Sequence, residues 1–480
     1  MNLGNVYKRS WPVLLICAMM LLFALPALAA QPGDCNDDGS VTMTEVQGAI
    51  NMHLGVTTAL SCVDADSSGT VTIAELRNAV NGYLGLPVVV AARPVTGVAW
   101  EPIANTAAAG TVVTAYASGS STPAATVTVQ ANGSYSITGL NAGVNYQFVF
   151  SRTGYGDVSY YGVTPGQSAD TALDKVLMLP SDKLTQTAAI NGYVKNAADN
   201  KPVASITIWF RAGMGATTGA LLPQTKSTDS QGYYSRTEFP AGCYTAEVLK
   251  LVDGQAVTLG YFTVYSVPGV PVYNNSQNFV VDTGTGPAGS YRAVLSWGNA
   301  PGDLDFHLTG PLNPEDTSTT IGSSNTPRFH IDSTEPAYPY GSAVTTSIPV
   351  VPGTASESYL DQDQLNHGVD NGSETITVLT QQQGVYRFYV YNNSGAGYLA
   401  DSGAKVQIYR GTTLLQSFTV PYKAGNTWYV CDIDGSTVTP KNIMSTVTTE
   451  QTYNFAKAIP GYPLDELKLF KPVKKSLPAQ

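Results

Sequence analysis

Two short stretches near the start of this 480-residue chain carry oxygen-bearing side chains at alternate positions. The first reads DCNDDGSVTMTE from Asp34, and the second reads DADSSGTVTIAE from Asp64. Counted from each Asp, positions 1, 3, 5 and 9 hold Asp34, Asn36, Asp38 and Thr42, then Asp64, Asp66, Ser68 and Thr72. Gly39 and Gly69 occupy position 6, and Glu45 and Glu75 occupy position 12. A hard cation such as Ca²⁺ needs six to eight oxygens, which alternate residues supply as a loop winds round it. The Gly permits the sharp turn, and the closing Glu offers two oxygens. The carbonyls of Ser40 and Thr70, at position 7, complete each predicted shell. The pattern predicts two bound Ca²⁺ ions. Two copies in register favour that reading over a pair of acidic surface turns.

Such loops need rigid elements beside them, and each runs straight into a helical pattern. Met43, Val46, Ile50 and Leu54 follow the first loop at helical spacing, and Ile73, Leu76, Val80 and Leu84 follow the second. Gly55 and Gly85 stand where C-terminal caps belong. No periodic helix precedes either loop, so each unit is a loop and one helix. The duplication over 34–85 resembles the dockerin type I EF-hand repeat, and the dockerin-like segments of secreted Gram-negative proteins more closely. In cellulosomal dockerins a Ser/Thr pair at positions 10 and 11 contacts the partner. Here Met43 and Thr44, then Ile73 and Ala74, stand at those positions. The resemblance therefore implies metal binding and leaves cohesin binding unsupported. Paired loops lie side by side, so Cys35 and Cys62 are expected to bridge. His53, on the first helix, is expected to be solvated.

The sequence opens with a secretory signal over 1–29: Lys8 and Arg9, an apolar run from Trp11 to Leu25, then Ala27-Leu28-Ala29. No later segment is long and apolar enough to span a bilayer. Export to the extracellular space, the outer cell surface or the periplasm follows, and it permits disulfides. Cys243 and Cys431 fall in separate predicted strands and are expected as buried thiols. Charged residues make up only 12% of the chain, with 46 Gly and 28 Tyr, which suits extracellular β modules. A net charge of −10 argues against nucleic-acid binding. Residues 31–86 contribute −6 of it, from seven acidic residues against Arg77 alone.

The expected fold is mainly β: a string of sandwiches behind a small α-helical paired calcium-loop domain at 31–86. A first module is expected at 93–181. Val127 and Val129 alternate with polar residues, Asn132-Gly133 predicts a hairpin turn, and Tyr146, Phe148 and Phe150 alternate after it. The string QANGSYSITGLNAGVNYQFVFSRTGY resembles the carboxypeptidase regulatory-like domain, a transthyretin-like β-sandwich. A second module at 183–282, with INGYVKNAADNKPVASITIWF and a Gly-Tyr-Tyr hairpin, resembles the same family. These stretches read as turns and core, with no catalytic constellation. Independent sandwiches on short linkers are the expectation.

The third module is expected at 291–445. Tyr291, Ala293, Leu295 and Trp297 alternate, and GDLDFHLTGP follows. There Leu304, Phe306 and Leu308 should face the core, while Asp303, Asp305 and His307 share the other face. The order of strands resembles bacterial pre-peptidase C-terminal and related Ig-like accessory domains. In some of these the acidic residues of the DLD strand hold Ca²⁺. That resemblance implies Asp303 and Asp305 as ligands, with Asp361, Asp363 or Glu374 from nearby. His307, His330 and His367 lie 23 and 37 residues apart, without an HExxH pair, so a catalytic Zn²⁺ is not predicted. No GxSxG, P-loop or dinucleotide fingerprint appears in its required context. A Lys- and Pro-containing tail occupies 446–480. Taken together, the residues predict an exported, non-catalytic, calcium-binding protein of several modules, meeting a surface protein or polysaccharide in adhesion, surface assembly or matrix contact. Two alternatives remain: an accessory subunit docking through its dockerin-like unit, and a secreted metal-dependent hydrolase using the His/Asp face of the last module.

Overall fold

The computed structural model describes residues 32–445 except 37, 65–68, 87–89, 198, 224–225, 253–254, 284–288, 299, 312–327, 334–335, 339–356, 363–371, 395–396 and 412. The expected signal sequence, the expected tail, Asp66, Ser68, Asp363 and His367 thus lie outside the described residues. The chain divides into two compact units, Met1–Val90 and Ala91–Gln480. Among the described residues, no helix is long and apolar enough to cross a membrane.

The first unit holds helix α1 (Met43–His53) and helix α2 (Ile73–Tyr83). Both start with a capping box. Glu45 accepts from the Thr42 amide at 2.8 Å while Thr42 Oγ1 accepts from the Glu45 amide, and Glu75 and Thr72 repeat the arrangement. Both end alike. Gly55 and Gly85 take positive φ, and the amides of Val56 and Leu86 reach back to the carbonyls of Asn51 and Asn81. That closure is a Schellman motif. The buried stripe differs from the one the spacing suggested. Ala49, Met52 and Ala79 meet Val63 and Val71 in a small core, whereas Met43, Leu54, Ile73 and Leu84 are exposed. The end residues of an eleven-residue helix overhang so small a core. His53 is not solvated as expected, because its Nδ1 meets the Val71 carbonyl at 2.7 Å and ties α1 to the second loop. Cys35 and Cys62 form a disulfide. Gly33, at φ +99°, backs onto α2 so closely that a Cβ would meet Ala79 at 2.9 Å.

Among the described residues of the second unit, six sheets face one another in pairs around three main cores, with a smaller cluster of Ala197, Val280, Val294 and Tyr409 besides. In the first pair, Val95–Glu101 is flanked by Ser134–Ile137 and by the short strands Thr106–Ala107, Thr171–Ala172 and Val176–Leu177. The opposing sheet runs Pro123–Thr128, Val112–Ala117, Tyr146–Ser151, Val158–Val163. Tyr146, Phe148 and Phe150 point into this core as their alternation required. The turn at Asn132-Gly133 forms, with the Gly133 amide donating to the Gln130 carbonyl at 2.9 Å. It is not a hairpin, however. The strands it joins belong to opposite sheets, and Ser134–Ile137 pairs with Val95–Glu101 instead. A tight turn dictates a reversal of direction, but the partner on each side is chosen by burial.

The second pair sets Tyr233–Pro240, Thr187–Asn196 and Phe279–Val281 against Lys226–Ser227, Thr207–Ala212, Gly242–Val252 and Gln255–Ser266. The third pair is larger. One sheet orders Ala337–Tyr338, Glu357–Gln362, Gly372–Thr380, Tyr291–Trp297, Lys405–Arg410 and Thr413–Thr419. The other orders Arg328–Ile331, Leu304–Pro311, Val385–Asn392, Thr427–Asp434 and Thr437–Ser445. Leu304, Phe306 and Leu308 enter the core between these sheets beside Trp297 and Trp428.

The sandwiches are not independent, contrary to the sequence-based expectation. The first core continues into Met214, Ala241, Cys243 and Val267 of the second module. Asp174, buried, accepts from Lys405 Nζ at 2.5 Å, from Thr419 Oγ1 at 2.9 Å and from Thr263 Oγ1. One carboxylate thereby joins all three modules. Burial works against its charge, but Lys405 and the two hydroxyls outweigh that and hold its pKa below the ordinary value. Asp282 and Arg292 pair at 2.7 Å where the second and third modules meet. The partners of Asp174 in the third module lie more than 200 residues away and are invisible to local pattern.

Candidate metal centres

The first loop is held from within. Asp34, buried, accepts from the amides of Asp38 at 3.2 Å and Gly39 at 2.8 Å. Asp38 accepts from the amide and hydroxyl of Ser40 and from Asn36 Nδ2. Those bonds, Ser40 first and Asn36 next, pull its carboxyl below the ordinary range. Both oxygens of Glu45 are engaged, one by the Cys35 amide at 2.8 Å and the other by the Thr42 amide and hydroxyl. The Thr42 amide is the main cause of its lowered pKa. The second loop repeats what is described of it. Asp64 accepts from the Gly69 amide at 2.9 Å, and Glu75 accepts from the Thr72 amide and hydroxyl. Asp34, Asp64 and Glu75 are each about 5% exposed or less, so three carboxylates are buried in a stretch, 31–86, whose one Lys or Arg is Arg77. The donor set is all oxygen, which fits a hard cation.

Among the described residues, two groups of His, Cys, Asp and Glu bring ligand atoms within 4.8 Å of one another, and both lie in the third sandwich. Asp34, Asp38 and Glu45 do not form such a group. The first group is Asp303, Asp305 and Glu374. Asp303 immediately precedes the strand that carries Asp305, and Glu374 reaches over from the opposite sheet, where its strand pairs with Tyr291–Trp297. Glu374 Oε2 accepts from the Phe306 amide at 2.7 Å. Pairing between Leu304–Pro311 and Arg328–Ile331 stops at Leu308↔Ile331, so at Phe306 a side chain takes the place of a strand partner. Asp361 does not join this group. It accepts from Thr377 Oγ1 at 2.6 Å, and burial raises its pKa to about 7.

The second group is His307, His330 and Asp332, all buried. His307 therefore separates from Asp303 and Asp305, with which it shares a face, and the expected His/Asp face resolves into two donor sets. Asp332 escaped the sequence reading, and His330, considered there with His307 and His367, was not joined to His307, because 23 residues separate them and only the register of two strands brings them together. The His-Ile-Asp run, polar residues alternating about an apolar one, was the available signal.

No protein-family model and no curated protein matches the chain. Solved structures with some likeness include the shaft pilin SpaA of Lactobacillus rhamnosus GG, 14% identical, covering 40% of this chain and 97% of that one, TM-score 0.16. A streptococcal ancillary pilin is 17% identical over 38% of this chain and 62% of its own, TM-score 0.15. The Bacillus anthracis TIE protein is 10% identical over 70% of this chain and 49% of its own, TM-score 0.16. With TM-scores this low, none of these likenesses bears on what the chain does.

Proposed function

We propose that this is an exported, non-catalytic, calcium-binding protein of several β-sandwich modules that serves adhesion or surface assembly. The observation that carries it is the duplicated loop: in both copies the position-1 Asp accepts from the position-6 Gly amide, at 2.8 and 2.9 Å, and the position-12 Glu sits beside the position-9 Thr. Burying three carboxylates costs free energy unless a cation or strong donors compensate. One Ca²⁺ in each loop supplies that charge, with Asp34, Asn36, Asp38, Thr42 and Glu45 in one, and Asp64, Asp66, Ser68, Thr72 and Glu75 in the other. The carbonyls of Ser40 and Thr70 add to these shells. Asp303 and Asp305, with Glu374, offer a third all-oxygen site. Extracellular modules of this kind bind at ~10⁻⁴–10⁻³ M, adequate where calcium is millimolar. Calorimetric titration of the full chain tests this. Uptake that is unchanged in a Glu45→Gln, Glu75→Gln double variant would rule the loops out.

A second reading, docking to a partner protein through the first unit, is favoured by Met43 and Ile73. They hold the same position in the two copies, and both are exposed, at 58% and 69%. Partner capture that survives both Met43→Asp and Ile73→Asp excludes it.

A further inference from the structure

We propose that His307, His330 and Asp332 form a site for a first-row transition ion of the Zn²⁺ type, separate from any calcium site. His307 lies on Leu304–Pro311 and His330 on the neighbouring Arg328–Ile331, paired so that Thr309 faces His330 and Leu308 faces Ile331. Asp332 follows directly on the end of that strand, and one ligand atom from each of His307, His330 and Asp332 lies within 4.8 Å of the others. His307 Nδ1 and His330 Nε2 are 3.0 Å apart, and the rings stack at 18° with centroids 5.2 Å apart. Asp332 Oδ2 lies 3.8 Å from His330 Nδ1, the ring nitrogen that does not face His307.

Two nitrogens bound to one tetrahedral Zn²⁺ at its usual bond length stand about 3.3 Å apart. The observed pair needs a shift of only a few tenths of an ångström to reach that spacing. An ion between the two nitrogens would take a lone pair from each neutral imidazole, and Asp332 would contribute the negative charge and the third ligand. All three residues are less than 9% exposed, so the site is built into the sheet and not laid on its surface.

The donor chemistry separates this group from its neighbour. Two imidazoles and one carboxylate suit Zn²⁺, Co²⁺, Ni²⁺ or Cu²⁺, whereas the all-oxygen set of Asp303, Asp305 and Glu374 suits Ca²⁺ or Mg²⁺. Two residues along one strand thus change the kind of ion selected. Three protein ligands leave the fourth position of a tetrahedral ion to a non-protein ligand. The sheet is then cross-linked between two strands, which this inference adds to the proposed calcium-dependent function without relying on it.

The test uses the full oxidised chain without a histidine tag, stripped by chelator, held at millimolar Ca²⁺ and titrated with Zn²⁺. One Zn²⁺ per chain is expected, with affinity lowered at least ~100-fold in His330→Gln and in Asp332→Asn, and calcium uptake unchanged. Co²⁺ added to the wild type should develop the visible absorption of a low-coordinate nitrogen-ligated ion. That readout does not depend on any variant folding. Absence of Zn²⁺ uptake, a Co²⁺ spectrum matching the hydrated ion, or equal Zn²⁺ binding in a His307→Gln, His330→Gln double variant overturns the proposal.

Discussion

The carboxylate of Asp174, in the first sandwich, lies 2.5 Å from the ammonium of Lys405, in the third. Removing one partner of such a pair leaves a buried charge uncompensated. Asp174→Ala should cost about 3 kcal/mol of unfolding free energy, and replacing both residues together, by Leu and Met, should recover much of it. Urea denaturation of the four proteins gives the coupling. A single-variant loss below about 0.5 kcal/mol would mean that the modules hold together without this contact.

Asp361 gives a pH dependence of the opposite sense to an ordinary ion-paired carboxylate. Its folded pKa, raised by burial to about 7, lies above the unfolded value, so its contribution is fully present below the unfolded pKa. That contribution is lost as pH rises through about 7. Thr377 and Arg292 oppose the shift and Asp282 adds to it. The stability difference between wild type and Asp361→Asn should move in the variant's favour by up to about 4 kcal/mol between acid and mildly alkaline pH. A difference that stays flat across pH 4.5 to 8.5 would contradict the raised pKa.

Glu45 and Glu75 each cap a helix. In calcium-free buffer, Glu45→Ala should therefore destabilise the first unit by about 1 kcal/mol, while Glu45→Gln, which keeps the capping box, should cost less. Thermal melting followed by far-UV circular dichroism distinguishes them. Equal losses in the two variants would remove the cap from the explanation.

Reduction of Cys35–Cys62, which closes a separation of 27 residues, should lower the stability of the first unit by ~3.5 kcal/mol on the chain-entropy estimate. The second unit should be indifferent, since its Cys243 and Cys431 are free and buried. Melting with and without reductant, read against a Cys35→Ser, Cys62→Ser variant, checks both halves of that statement.

Short-range pattern was legible wherever the physics is short-range. The alternation of Tyr146, Phe148 and Phe150, or of Leu304, Phe306 and Leu308, follows from the two-residue period of a strand against one core. The two helices followed from the apolar spacing that begins at Met43 and Ile73, whereas the capping boxes at Thr42 and Thr72 went unread although four residues spell each of them. What was not legible depends on partners far along the chain. Asp174 carries no local mark of joining three modules. His307 needed the strand register to find His330. Asn132-Gly133 announced a turn, but which sheet each flanking strand would enter is decided by the cores on either side.

The disulfide has a topological consequence. Cys35 and Cys62 enclose a covalent ring that contains the first loop from its second position onward and the whole of α1, while α2 lies entirely outside it. Inside the ring, opening α1 releases little chain freedom, because both ends stay tethered. Outside it, α2 is kept in place by Ala79 against Gly33, by its cap and by its few core contacts. The two copies, near twins in sequence, are therefore unequal in mechanical terms. Under strain the second repeat peels away first and the first repeat persists as a knot-like remnant. Amides of 73–83 should then exchange with solvent faster than their counterparts in 43–53.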